Sequence, residues 1–155
     1  MKRVKHGTTN KVLMIDDEVL FTQGDDGDNA YMVVAGRLSV EVDKKEVGYM
    51  GDGEVFGELA LLLDQKRSAT VKSVKSTELI EINKEGLNNI LNSASDDVRI
   101  MIMKLCEELS KRSEFQKIPF SFAELNSKVI EENELVTKFA RQIFHRLDKS
   151  TTHIE

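Results

Sequence analysis

The sequence predicts a mainly β fold with a helical C-terminal half: an antiparallel β-roll or jelly-roll barrel followed by helices. Three observations carry that class. Short β-favouring runs separated by turn signals fill the chain from Lys11 to Ile82. Eight of the nine glycines precede residue 58 and none follows Gly86, so turn punctuation stops where the runs stop. From Asn83 onward the apolar residues recur at three and four, the spacing of a helix face. Short strands at this spacing suit a sandwich or barrel, not a parallel sheet with crossover helices.

Taken in order, residues 1 to 10 show no periodicity and end in Gly7-Thr8-Thr9-Asn10, which predicts a mobile tail. Strands are expected over Lys11 to Ile15, Val19 to Thr22, Ala30 to Ala35, Leu38 to Val42, Glu46 to Met50, Ala69 to Val74 and Glu78 to Ile82. Leu38-Ser39-Val40-Glu41-Val42 alternates, which puts Leu38, Val40 and Val42 on one buried face. Asn83 is the expected N-cap of a helix over Lys84 to Leu91, and Ser95 that of a longer helix from Asp96 to about Ser113. Asp96 and Asp97 suit its first turn, and Val98, Ile102, Leu105 and Leu109 form its apolar stripe, widened by Met101 and Cys106. Pro119 interrupts the helical run, and Ser121 with Glu124 three residues on forms a capping-box pattern. Phe122, Leu125 and Val129 make one short face; Leu135, Phe139, Ile143 and Leu147 make another. The expected organisation is a tail over 1–10, a domain over 11–113 (β-roll 11–82, helices 83–113) and a helical extension over 114–155.

Composition closes several function classes. A chain of 155 residues with net charge -5 has no general pull toward nucleic acid or anionic lipid. Residues 114 to 155 hold no glycine and no net basic face, against a DNA-reading helix-turn-helix. His6, His145 and His153 all fall outside the expected strands, so a barrel-bound metal enzyme lacks its ligands. The basic start, Met1 to His6, is not followed by an apolar stretch, no apolar run is long enough to span a bilayer, and the lone Cys106 agrees with a reducing compartment. A cytoplasmic, non-catalytic protein with no cofactor is the expectation.

The informative stretch runs from Gly51 to Val71. Glycines at a turn, a short apolar run and one arginine followed by small residues describe a loop and one helical turn built to hold an anion. Arg67 can offer a phosphate two N–H groups at once. Glu58 has the wrong sign for a phosphate but can accept hydrogen bonds from sugar hydroxyls. A surface loop with an ordinary glutamate and arginine stays open at this point.

Phe56-Gly57-Glu58-Leu59-Ala60-Leu61, followed by Arg67-Ser68-Ala69, resembles the phosphate-binding cassette of cyclic nucleotide-binding domains, a family that includes the sensor domain of the bacterial cyclic-AMP receptor protein and the regulatory subunits of cyclic-AMP-dependent protein kinase. The block from Gln23 to Gly36 looks like that family's glycine-rich turn and following strand, and Gly51-Asp52-Gly53-Glu54 sits where the family turns into the cassette. The resemblance covers roughly residues 11 to 113. It implies that Arg67 pairs with a cyclic phosphate, that Glu58 takes the ribose 2'-hydroxyl, and that Gly57, Leu59, Ala60, Ser68 and Ala69 complete the cradle. Asp28 matches the aspartate that orients the arginine, and Val40 and Val47 match positions that wall the base. Three departures stand out: Lys66 where many members have proline, no visible helix ahead of the barrel, and no tryptophan to cover a base.

The implied function is a sensor binding cyclic AMP first and cyclic GMP second, with the C-terminal helices repacking as output. The alternative is a degenerate fold of the same kind, serving as an interaction or oligomerisation module without ligand. The C-terminal helices could fold back, pair with a second copy or bind another protein, and the sequence leaves the base and the oligomeric state open.

Overall fold

The computed structural model describes residues 1–6, 9–111 and 113–152; Gly7, Thr8, Arg112 and residues 153–155, each part of an expected segment, lie outside the described residues. The strands are β1 (Lys2–His6), β2 (Thr9–Met14), β3 (Val19–Phe21), β4 (Asn29–Ala35), β5 (Arg37–Val42), β6 (Lys45–Gly51), β7 (Val55–Phe56), β8 (Thr70–Ser73) and β9 (Thr77–Asn83). They form two antiparallel sheets, ordered β1-β2-β9-β4-β7 and β3-β8-β5-β6. Val12, Met14, Tyr31, Val33, Phe56 and Leu79 from the first sheet and Leu38 and Val71 from the second meet in one buried cluster, with Leu20, Phe21 and Met50 packed against it. The seven expected strands are all present, and the mainly β architecture with following helices stands as the sequence predicts.

Two strands were not expected. β1 replaces the tail expected over residues 1 to 10: Lys2–His6 pair with β2 from Lys2↔Leu13 to His6↔Thr9. This strand is polar, so its pairing rests on backbone hydrogen bonds that leave no hydrophobic pattern to read, and lysines are a usual guard on a sheet edge. β7 is only two residues long, pairing Tyr31↔Phe56 and Met32↔Val55.

The β5–β6 hairpin shapes one wall. Its two-residue turn, Asp43-Lys44 between paired Val42 and Lys45, has both central residues at positive φ, 52° and 67°. That is the arrangement whose twist suits a tight hairpin. Gln23 holds it from outside: its amide nitrogen donates to Asp43 Oδ1 at 3.0 Å and its amide oxygen accepts from the Asp43 N–H at 2.8 Å. Farther up, Val40 pairs with Gly48 and Glu41 with Glu46, which leaves Val47 as an extra residue in a bulge. The clean alternation expected for β5 does not appear. Leu38 is fully buried and Val40 and Val42 half-buried, while Ser39, from the opposite face, is buried too and lends its hydroxyl to Lys72 O at 3.4 Å.

The helices are α1 (Glu58–Leu62), α2 (Lys84–Asn92), α3 (Asp96–Leu109), α4 (Phe122–Val129) and α5 (Glu134–Thr152). The expected caps are in place. Asn83 Oδ1 accepts from Gly86 N at 2.8 Å, Ser95 Oγ from Val98 N at 3.3 Å and Ser121 Oγ from Glu124 N at 3.1 Å. Asn133 adds a cap that the spacing did not announce, accepting from Val136 N at 2.9 Å. α3 ends at Leu109, short of Ser113, which begins a separate 3-10 turn to Phe115.

The chain divides into two compact units, Met1–Leu87 and Asn88–Glu155. The boundary therefore falls within α2, not after residue 113. α3 groups with α4 and α5 because their apolar faces pack on one another. Val98, Ile102, Leu105 and Cys106 of α3, Leu125 and Val129 of α4, and Val136, Phe139, Ala140, Ile143 and Leu147 of α5 are all buried. Leu135, placed on that face by the spacing, stays partly exposed, and Val136, one position on, takes its place.

Leu79 is fully buried in the first unit's core and Leu13 is 38% exposed on β2. Leu79→Ala should cost about 2 to 5 kcal/mol, the range for a buried leucine. Leu13→Ala should cost clearly less, and urea denaturation of the two variants checks the ordering.

Candidate functional site

Arg67 is the centre of the cassette, and its backbone is anchored before its side chain is considered. Its N–H donates to Asp25 O at 2.8 Å and its carbonyl accepts from Gly24 N at 2.9 Å, which ties it to the loop between β3 and β4. The side chain then turns inward and is only 5% exposed. Nη1 donates to Gly57 O at 2.9 Å and Nη2 to Asn29 O at 2.6 Å. The guanidinium carbon lies 4.1 Å over the Phe21 ring and 5.9 Å from the Tyr31 ring centroid, within cation–π range. Nε is buried and has no hydrogen-bond partner.

Burial lowers the pKa of Arg67, with Tyr31, Asp28, Asp25 and Glu81 pulling the other way. An arginine stays charged through such a shift. The site therefore contains a cation withdrawn from water, with Nη1 and Nη2 each giving an N–H to a carbonyl and the Nε–H without an acceptor.

Gly57 is needed twice. It sits at φ 79°, ψ 5° as the residue that opens α1, and a Cβ there would stand 2.8 Å from Arg67 Nη1. Gly27 is needed once, for space: a Cβ would come within 2.6 Å of both Cζ and Nε of Arg67 and 2.7 Å of the Ala60 Cβ. Glu58, the first residue of α1, is fully buried, and an acidic group suits that end of a helix. The turn closes through Leu63 N to Leu59 O at 3.0 Å and Gln65 N to Ala60 O at 3.2 Å.

Of the residues singled out from the sequence, Gly57, Ala60 and Arg67 are brought together, with Glu58 beside Gly57. Leu59 and Ala69 are half-buried and Ser68 is exposed. Asp28 is exposed and acts on Arg67 through its charge, while the carbonyls of Gly57 and Asn29 hold the guanidinium. Val40 lies opposite Val71, two residues after Ala69, and Val47 projects from the bulge at 62% exposure. Nothing stands within 4 Å of where a Cβ on Gly48 would be, so the backbone opposite Val40 is open.

Sequence reasoning missed Asn29, which contributes only its carbonyl, and Phe21 and Tyr31, which it placed within expected strands and gave no part in the site. The glycine-rich turn around Gly27 was the available signal. Lys66 forms an ion pair with Asp26, joining the cassette to that same turn, though both groups are exposed. None of the cassette residues lines the open cleft of about 410 Å³ bounded by Arg37, Tyr49, Asp52, Glu54 and Lys75. Its two carboxylates are already engaged, Asp52 with Gly36 N at 2.9 Å and Glu54 with Gly51 N at 2.7 Å.

The cyclic nucleotide-binding domain family model matches residues 16–94. Over 76 residues, 49% of this chain and 8% of the other, the sequence is 34% identical to a cGMP-dependent protein kinase of Eimeria tenella. An EAL enzyme solved with cAMP bound superposes with a TM-score of 0.58 at 32% identity, covering 64% of this chain and 28% of that one. The regulatory domain of Toxoplasma gondii PKA, solved with cAMP, gives 0.54 at 32% identity over 66% and 41%. The chain spans less than a tenth of the curated relatives it matches.

Burial raises the Tyr31 hydroxyl pKa from 10.0 to about 12, reinforced by Glu81. The unfolded chain then gives up this proton at lower pH than the folded one. Stability from this group is fully present below pH 10 and is lost as pH rises through about 12. Urea midpoints followed upward from pH 10 should fall, and Tyr31→Phe should remove part of that slope.

Proposed function

The chain belongs to the cyclic nucleotide-binding domain family, and from that premise we propose that it is a non-catalytic sensor of a cyclic purine mononucleotide, cyclic AMP before cyclic GMP. The observation that carries the reading is Arg67: a buried guanidinium, fixed by two carbonyls, whose Nε–H lacks an acceptor. A phosphate oxygen supplies that acceptor and a countercharge in the same contact. A second phosphate oxygen would be taken by Nη2, which retains another N–H beyond the one given to Asn29. Glu58, buried at the start of α1, suits a ribose hydroxyl next to the phosphate. Val40 and Val47, on the open β5–β6 wall, give the base an apolar surface.

Every step here is binding. The described residues offer no group of three or more histidines, cysteines or carboxylates able to hold a metal, and no helix long and apolar enough to cross a membrane. The relatives of this domain sit within longer kinases and other enzymes, so a fused output is compatible with the sensor role. For signalling, the nucleotide must bind one arrangement of the protein more tightly than another, since only differential affinity moves a population. We assign that response to the helical unit, acting on its own chain, a second copy or a partner protein.

Arg67→Ala should weaken cyclic AMP binding by about thirty-fold to several thousand-fold, since truncating a buried charge partner costs roughly 2 to 5 kcal/mol and each decade is about 1.4 kcal/mol. Calorimetry on the variant decides it, and unchanged affinity would remove the assignment. Thermal shift provides the wider check: nucleotide at about a hundred times its Kd stabilises by about 2.7 kcal/mol. No shift with either nucleotide points to a ligand-free interaction module.

A further inference from the structure

Glu81 is a carboxylate with only 4% exposure on β9, the strand between β2 and β4. A buried carboxylate is tolerated only when donors cover its oxygens. Here three do. The Tyr31 hydroxyl donates to Oε2 at 3.1 Å, the Asn10 amide to Oε1 at 3.2 Å, and Arg3 Nε to Oε2 at 3.3 Å. Register explains how they meet: Asn10 lies opposite Glu81 on β2, Tyr31 lies opposite it on β4, and Phe56 lies opposite Tyr31 on β7. Directly opposed residues share a face, so the register places Asn10, Glu81, Tyr31 and Phe56 in one row across the sheet.

The row ends under the phosphate arginine. Tyr31 stacks on Phe56 with ring centroids 5.4 Å apart and leans on Phe21 at 6.0 Å. Its ring is 5.9 Å from the Arg67 guanidinium carbon, and its Cδ2 would be 3.5 Å from a Cβ on Gly57. Tyr31 is thus part of the floor of the arginine slot, and Glu81 holds the far end of its ring. On the outermost strand Lys5 is the residue opposite Asn10; Arg3, two residues earlier and opposite Val12, reaches Glu81 diagonally, and its side chain is 51% exposed. An exposed ion pair contributes little, but this cation covers a carboxylate that is not exposed, and removing it leaves Glu81 with the Tyr31 and Asn10 donors and the more distant charge of Arg67.

We propose that Arg3, Glu81 and Tyr31 are positioning residues for Arg67, so that the docking of edge strand β1 onto β2 sets the nucleotide affinity of the cassette. The proposal rests on the nucleotide-binding reading above. Arg3 acts on Glu81, Glu81 orients the Tyr31 ring through its hydroxyl, and the ring fixes the height and tilt of the guanidinium. A packing role alone would need the ring but not the hydroxyl, and would not involve Arg3.

The test uses the whole chain and two readouts: cyclic AMP and cyclic GMP affinity by calorimetry, and urea stability without nucleotide. Arg3→Met and Tyr31→Phe should each weaken binding by about 3- to 10-fold, the span of one hydrogen bond. Because both act through Glu81, the double variant should bind about as weakly as the weaker single, and Arg3→Lys should recover most of the loss. Variants that lose stability but bind as tightly as the wild type overturn the relay and leave the sensor reading intact. So does a double variant whose losses multiply. A wild-type chain that binds neither nucleotide overturns both.

Discussion

The structure depends on keeping one positive charge out of water. A buried guanidinium needs acceptors, and Arg67 takes them from backbone carbonyls of two separate segments, the start of β4 at Asn29 and the residue before α1 at Gly57. Those two bonds bring the cassette against the first sheet. Aromatic faces close the slot with an electron-rich surface that does not itself demand hydrogen bonds. Nearby carboxylates lower the cost of the charge without contacting it. Together they leave the Nε–H buried without an acceptor.

Much of this was legible in the sequence because the chemistry resides in side chains of distinctive type. Gly57, Glu58 and Arg67 could pass locally for an ordinary loop and stood out through their spacing within a recognisable motif, while the strand runs up to Ile82 were visible from β-favouring residues between turn signals. What escaped is carried by the backbone. Asn29 contributes a carbonyl that any residue has, and β1 pairs through main-chain groups while its side chains look like a solvated tail. Tyr31 was hidden differently: one ring serves as core and lies beside the Arg67 guanidinium, a neighbour that strand alternation does not announce. In α5 the expected face holds at Phe139, Ile143 and Leu147, and only its first position moves, from Leu135 to Val136, one step of about 100° on a helix. The division of the chain was misplaced for a related reason, since periodicity reveals that α3 has an apolar stripe but not which neighbours fill it.

Lys66 illustrates how a departure from a family pattern can be absorbed. A proline would stiffen the approach to Arg67 through its own ring. Here an ion pair with Asp26 reaches across to the glycine-rich turn instead. Both partners are exposed, so the contact is screened by salt and adds little to stability. The geometry of Arg67 accordingly rests on its paired backbone with Gly24 and Asp25.

Gly27 carries a different kind of record. Its backbone makes no demand for glycine through a positive φ; what forbids a side chain is the guanidinium and Ala60 lying where a methyl would go. Its identity is therefore tied to another residue's side chain. In a descendant that had abandoned its ligand and replaced Arg67 by something short, this position would be released to drift while Gly57, bound by its own left-handed turn, would not. Gly27 thus records the inward fold of Arg67, and Gly57 records both that fold and a turn of its own.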